Sequence, residues 1–303
     1  MKHLALTALR FYAFTTLVSL QAHTISVITS VSVGELLDKI TILQIKQQRI
    51  KGAKKLANIQ LELDTLQETF ACTGLMNTAH KDALYALIDE LRAINQTLWD
   101  LEDATRRKES HHLYDDEFKQ LAARIIDRND TRARTKAAIN RLTNSAIIEE
   151  KSYKEMTSLQ QSSQAKSTLV ALEIPFAELI DKITILEVKL EKITDSDKRA
   201  HIQTELALLT KNRDEVCSMT LELELLITAL RTANRTMFDI QDAIRAAIKT
   251  GILDDTFIDL ARSVYFTNDE RCRIKHSINE LVGSHLIEEK EYTVYDTVKT
   301  QSA

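Results

Sequence analysis

Turn-forming residues are almost missing from this chain: it has one proline, Pro175, and five glycines in 303 residues. Strands joined by hairpins need such residues every few positions, so their scarcity excludes a hairpin-built β architecture and points to an all-α fold. The three cysteines, Cys72, Cys217 and Cys272, are odd in number and form no Cys-x-x-Cys, which argues against both a disulfide framework and a cysteine metal site. A net charge of −4 lacks the basic excess that binding to a phosphate backbone demands, so nucleic acid is not an expected partner. The histidines are scattered; His111 and His112 are adjacent and so leave a helix in different directions. No P-loop, dinucleotide fingerprint or nucleophile motif occurs. No apolar run approaches the ~20 residues that span a bilayer.

What the chain does contain is a long repeat. Val-Gly-Glu-Leu-Leu-Asp-Lys-Ile-Thr-Ile-Leu-Gln-Ile-Lys at 33–46 returns as Phe-Ala-Glu-Leu-Ile-Asp-Lys-Ile-Thr-Ile-Leu-Glu-Val-Lys at 176–189. The offset is 143 from Glu35 to Glu178 and 139 from Asp100 to Asp239. Four residues are therefore missing from the second copy between Leu66 and Leu87, which reads as a shorter helix connection. Both copies close on Glu-Glu-Lys-x-Tyr, at 149–153 and 288–292. Units of ~130 residues are of ordinary domain size and too long for a solenoid repeat. The expected organisation is an N-terminal segment (1–24), a first helical domain (25–156), a polar linker (157–168) and a second helical domain (169–303). A duplicated unit mimics a twofold dimer, so the halves are expected to dock as a pseudo-twofold pair. Lys2 and Arg10, the apolar stretch 11–20 and the small-residue Leu20-Gln21-Ala22 outline a secretory signal. The second copy reads as complete without a counterpart, which favours a cytoplasmic chain with an upstream extension; export is the alternative.

Each unit reads as about five helices. The first opens on Ser32-x-x-Glu35, a capping box, and Pro175 replaces Ser32 where no N–H is needed. Leu36, Ile40 and Leu43 form one apolar stripe while Ile42 and Ile45 lie outside it. A helix apolar nearly all round is buried, so Asp38, Lys39 and Thr41 are expected in the interior. A second helix covers 56–70 and a third 82–108, with Leu84, Leu87, Leu91, Leu98 and Leu101 at helical spacing. Asp115-Asp116 and Asp254-Asp255 open the fourth, where negative charge suits a helix N-terminus. A break is expected at Asn129-Asp130, and a short last helix is expected to carry the closing motif.

Apolar positions swap between the copies (Leu98 for Met237, Trp99 for Phe238) while many polar ones do not. The kept set is Glu35, Asp38, Lys39, Thr41 and Lys46; Asn95, Asp100, Asp103 and Arg106; Asp130, Arg132, Lys136 and Asn140. Their counterparts are Glu178, Asp181, Lys182, Thr184 and Lys189; Asn234, Asp239, Asp242 and Arg245; Asp269, Arg271, Lys275 and Asn279. One reading is a Mg²⁺-dependent hydrolase of a phosphorylated small molecule. Glu35/Asp38 and Asp100/Asp103 are i,i+3 carboxylate pairs, each on one helical face, and Mg²⁺ prefers oxygen ligands. A metal site leaves a surplus of carboxylate, however, and this set balances five acids against five bases. The favoured reading is therefore a structural ion-pair network without metal or cofactor, including an i,i+3 pair between Asp103 and Arg106. Arg132, Lys136 and Asn140, with Arg271, Lys275 and Asn279, form polar stripes suited to an anionic ligand. The function expected is a non-catalytic interaction or anion-binding module with a protein or small-molecule partner.

Gly-Glu-Leu-Leu-Asp-Lys-Ile-Thr-Ile-Leu-x-Ile-Lys, Leu-Trp-Asp-Leu-Glu-Asp, Asn-Asp-x-Arg and Glu-Glu-Lys-x-Tyr resemble a bacterial family of small helical domains of unknown function. The resemblance covers both halves. It implies a usually single-copy domain, often encoded near surface-polysaccharide glycosyltransferases, and hence an accessory role in that biosynthesis. It implies no catalytic residue.

Overall fold

A computed structural model describes residues 24–147 and 167–290. The N-terminal segment, most of the linker, the first closing motif and the last two residues of the second lie outside the described residues. The first half runs β1 (Val27–Val31), α1 (Val33–Arg49), α2 (Ala53–Cys72), a single 3-10 turn (Leu75–Asn77), α3 (Lys81–Ser110) and α4 (Asp116–Leu142). The second runs β2 (Val170–Ile174), α5 (Phe176–Lys192), α6 (Ser196–Val216), α7 (Leu221–Thr250) and α8 (Asp255–Val282). The molecule is two tandem helical units with one small sheet, four long helices to a unit among the described residues.

That sheet is where the halves meet. β1 and β2 pair antiparallel, with Thr29 opposite Leu172 and Val27 opposite Ile174. Leu172 is the repeat counterpart of Thr29, so the pseudo-twofold axis passes through this pair. Val27, Thr29 and Val31 point inward while Ile28 is 65% exposed, the period-two alternation of a half-buried strand. Backbone bonds from Ile25 N–H to the Gly283 carbonyl (2.9 Å) and from His285 N–H to the Ile25 carbonyl (2.9 Å) extend the seam.

The largest apolar core spans both units, joining Val27, Leu36 and Ile40 to Ile174, Leu179 and Ile183. A second cluster, away from the sheet, packs Phe118 and Ala122 of α4 with Ile240, Ile244, Phe257 and Ala261 of α7 and α8. Phe118 and Phe257 are fully buried, a burial worth about 1.5–3 kcal/mol for such a side chain. Between these two apolar contacts lies a polar layer built from α1, α3, α4, α5, α7 and α8.

Local chemistry places the helix ends. Ser32 accepts from the Glu35 N–H (3.1 Å), and Asp115 and Asp254 cap α4 and α8 by accepting from Phe118 and Phe257 N–H. α4 is continuous through Asn129 and Asp130, contrary to the expected break. Asn129 Nδ2 donates back to the Ile125 carbonyl (3.0 Å), which anchors the side chain along the helix instead of interrupting it. Residues 287–290 are not helical; the start of the second closing motif is an irregular arm. No described helix is long and apolar enough to cross a membrane.

Candidate functional site

The polar layer begins at the helix N-termini, whose first N–H groups have no partner within the helix. Asn140 Oδ1 on α4 accepts from Gly34 N–H at 2.7 Å, and Ser145 Oγ accepts from Val33 N–H at 3.2 Å. The second half repeats this with Asn279 on Ala177 N–H (2.8 Å) and Ser284 on Phe176 N–H (3.0 Å). Through their amide oxygens the two asparagines thus act as caps supplied by a neighbouring helix. At Gly34 a methyl would lie 2.6 Å from the Lys136 carbonyl oxygen, whereas the second copy makes the same cap on an alanine, Ala177.

One turn further, the charges cross the axis. Lys39 of the first half meets Glu178 of the second at 3.2 Å, and Lys182 stands 3.8 Å from Glu35. Each glutamate is also held within its own half, Glu35 by Lys136 (2.5 Å) and Glu178 by Lys275 (3.1 Å). The closing motif completes the second-half cluster. Glu288 takes Lys275 at 2.5 Å and reaches over to Lys46 at 3.4 Å. Glu289 accepts from Asn58 Nδ2 (2.7 Å), and the Lys290 carbonyl accepts from Lys55 (3.2 Å). The arm is therefore a strap from the second half onto α1 and α2 of the first.

These contacts outweigh desolvation. Burial alone would raise the Glu178 carboxyl, but the Lys39 and Lys275 ammonium groups hold it down at about 2. Lys275 keeps Glu288 well below the ordinary carboxylate range, against its burial. Burial lowers Lys39, yet Glu178, Glu62 and Glu35 together raise it above the usual lysine value. Glu62 behaves the other way: burial raises it and its neighbours Lys39 and Lys46 do not compensate. A carboxyl whose folded pKa is raised disfavours the folded state once it must ionise. Glu62→Gln is therefore expected to increase the urea midpoint at pH 7, and a lower midpoint would show that its negative charge is needed.

Below the lysines, Asn95 Nδ2 donates to Asp38 (2.8 Å) and to Thr41 (2.9 Å), and Asn234 does the same for Asp181 and Thr184 (both 2.9 Å). Here the halves differ. Arg271 grips Asp181 with hydrogen bonds of 2.9 and 2.8 Å, whereas Arg132 stays 4.0 Å from Asp38 and is one-third exposed. Further down, Arg106 crosses to Asp269 with two contacts of 3.3 Å, Lys290 adds a third at 3.0 Å, and Arg245 crosses to Asp130 at 3.4 Å.

The remaining sequence candidates lie elsewhere. Asp100 and Asp239 are on the surface, paired with Arg49 (3.0 Å) and Lys192 (2.7 Å). The expected pairing of Asp103 with Arg106 gives way to Arg106 with Asp269, because the deeply buried Asp269 lies across the axis. Asp242, more than half exposed, stands 3.8 Å from Arg245. Glu35, Asp38, Asp100 and Asp103 do not converge: Glu35 and Asp38 face Lys136, and Asp100 faces outward. Among the described residues no three His, Cys, Asp or Glu side chains form a metal-holding group. Sequence reasoning missed Glu62, although it lies between Ile59, Leu63 and Leu66 on the buried face of α2 and matches Glu205 in the second copy.

A duplicated helical unit folded on a shared core, with reciprocal ion pairs across a pseudo-twofold axis, defines the class of this protein. The chain belongs to a family of unknown function, DUF6165, whose sequence profile matches it twice in tandem, at residues 27–169 and 170–302. No curated protein and no solved structure matches it.

Proposed function

We propose that the protein is a non-catalytic binding module that takes an anionic group, a phosphate or carboxylate, at Arg132. The observation behind this reading is the asymmetry of the layer. Lys39, Lys136, Lys275, Arg106, Arg245 and Arg271 each approach a carboxylate at 2.5–3.4 Å. Arg132 does not, although its repeat counterpart is locked on Asp181. A guanidinium offers a planar fork of donors that fits phosphate or carboxylate with two parallel bonds. Arg132 is buried enough to strengthen such a contact and exposed enough to be reached. Lys182, 3.8 Å from Glu35, is the other loosely held cation of the layer. An accessory role in surface-polysaccharide assembly, which the family resemblance implies, makes nucleotide sugars the first ligands to try.

A thermal-shift and calorimetric screen with inorganic phosphate, pyrophosphate, UDP-glucose and Mg²⁺ tests the reading. A ligand that binds only the folded state stabilises it by about 2.7 kcal/mol at a hundredfold excess over Kd. The expected result is stabilisation by a phosphorylated ligand that is lost in Arg132→Ala. Stabilisation by Mg²⁺ alone, removed by Asp38→Asn, would replace this reading with the hydrolase. No response to any of them would leave a protein-interaction module.

A further inference from the structure

The second apolar cluster carries a polar pair that breaks the pseudo-twofold symmetry. Arg262 on α8 donates to Glu109 on α3 from Nε (3.2 and 3.1 Å) and Nη2 (3.1 Å), and Tyr114 adds its hydroxyl at 3.2 Å. Glu109 is 4% exposed. The Arg262 guanidinium lies 4.6 Å from the centre of the Tyr114 ring, a cation–π contact. At the offset of 139, the counterparts of Glu109, Tyr114 and Arg262 are Ile248, Leu253 and Ala123. All three are half-buried and pack on that same cluster. One of the two symmetry-related places is thus an ion pair and the other is apolar.

We infer that this mismatch fixes which half pairs with which: the first half is a fitted partner for the second, and neither is a fitted partner for a copy of itself. Two first halves would set Glu109 against Ala123 twice, leaving two buried carboxylates without a cation. Two second halves would set Arg262 against Ile248 twice. Removing one partner of a buried pair is strongly unfavourable, and specificity of this kind arises from penalising the wrong partner. Only the first half against the second satisfies both places. The inference is independent of any ligand at Arg132.

The test starts from the full chain with a protease site inserted within 157–166, cut after folding and incubated long enough for fragments to exchange. Native mass spectrometry then counts the pairings. The expected result is first-with-second pairs alone for the parent sequence. The triple variant Glu109→Ile, Tyr114→Leu, Arg262→Ala, which copies the apolar place onto the polar one, is expected to give like-with-like pairs as well. Like-with-like pairs from the parent, or none from the triple variant, would overturn the proposal. Should the fragments not stay together, the intact chain decides. Glu109→Ile and Arg262→Ala are each expected to lower the melting temperature and the triple variant to restore it; additive losses would overturn the proposal.

Discussion

Asp269→Ala is expected to lower the unfolding free energy by about 3–5 kcal/mol, the cost of stranding buried cations, whereas Asp242→Ala is expected to cost no more than about 1 kcal/mol. Both aspartates stand near an arginine of the polar layer, but their surroundings differ. The Asp269 side chain is 3% exposed and receives Arg106 from the opposite half as well as Lys290 from the strap. Although burial raises its carboxyl, the hydrogen bonds from Arg106 and Lys290 prevail and lower it below the ordinary aspartate value. Removing it takes their hydrogen-bonded carboxylate away from Arg106 and Lys290 at a half-to-half contact. Asp242 is more than half exposed and 3.8 Å from Arg245, so water replaces it readily. Urea unfolding of the two variants side by side settles the comparison. Equal, small losses would mean that the layer around Asp269 is already hydrated.

The helices were readable because their causes are local. The leucine spacing of α3, the aspartate caps of α4 and α8, and the all-round apolar character of α1 each lie within a few turns of chain. The strands were not readable by the same logic. Scarce turn residues exclude hairpins, but β1 finds its partner 143 residues away across a pseudo-twofold axis and needs no turn. The signal that remained was the run Val27-Ile28-Thr29-Ser30-Val31, with β-branched residues at four of five places, a composition that favours strands.

The polar layer shows the same division. Conservation of Asp38, Lys39 and Thr41 between copies, on a helix with no solvated face, pointed to the interior, where Asp38 and Thr41 are 6% and 0% exposed. Which charge meets which was not legible. Arg106 lies three residues from Asp103, an arrangement that suits an i,i+3 pair, yet its carboxylate comes from α8 of the other half. Spacing along one helix cannot report a partner supplied by symmetry. Asn140 carried a similar ambiguity, because its stripe with Arg132 and Lys136 is equally compatible with a ligand site and with capping a neighbouring helix. In the structure its Oδ1 accepts from the Gly34 N–H and so caps the neighbouring helix.

Acidification is expected to unfold the protein through Glu178, between the ordinary glutamate range and about pH 2. The Glu178 carboxyl is lowered to about 2 because, against burial, Lys39 from the first half and Lys275 from its own half favour the charged form. A depressed folded-state pKa contributes stability that is fully present above the unfolded value, about 4.3, and is lost as pH falls toward the folded one. The difference corresponds to roughly 3 kcal/mol. Glu288, held well below its ordinary value by Lys275, acts in the same direction. Glu62 opposes them, since burial raises its pKa and favours the protonated form. Glu178→Gln should therefore be destabilised near pH 7 and should show a much flatter stability profile from pH 5 to pH 2.5 than the parent chain. The Lys39→Met variant separates the cross-half contribution from that of Lys275: with the cross-half ammonium removed, the acid transition should move to higher pH. Urea unfolding at a series of pH values measures both. If the acid midpoint is the same in all three proteins, the charges across the axis are not what holds the halves together, and the shared apolar core alone must do so.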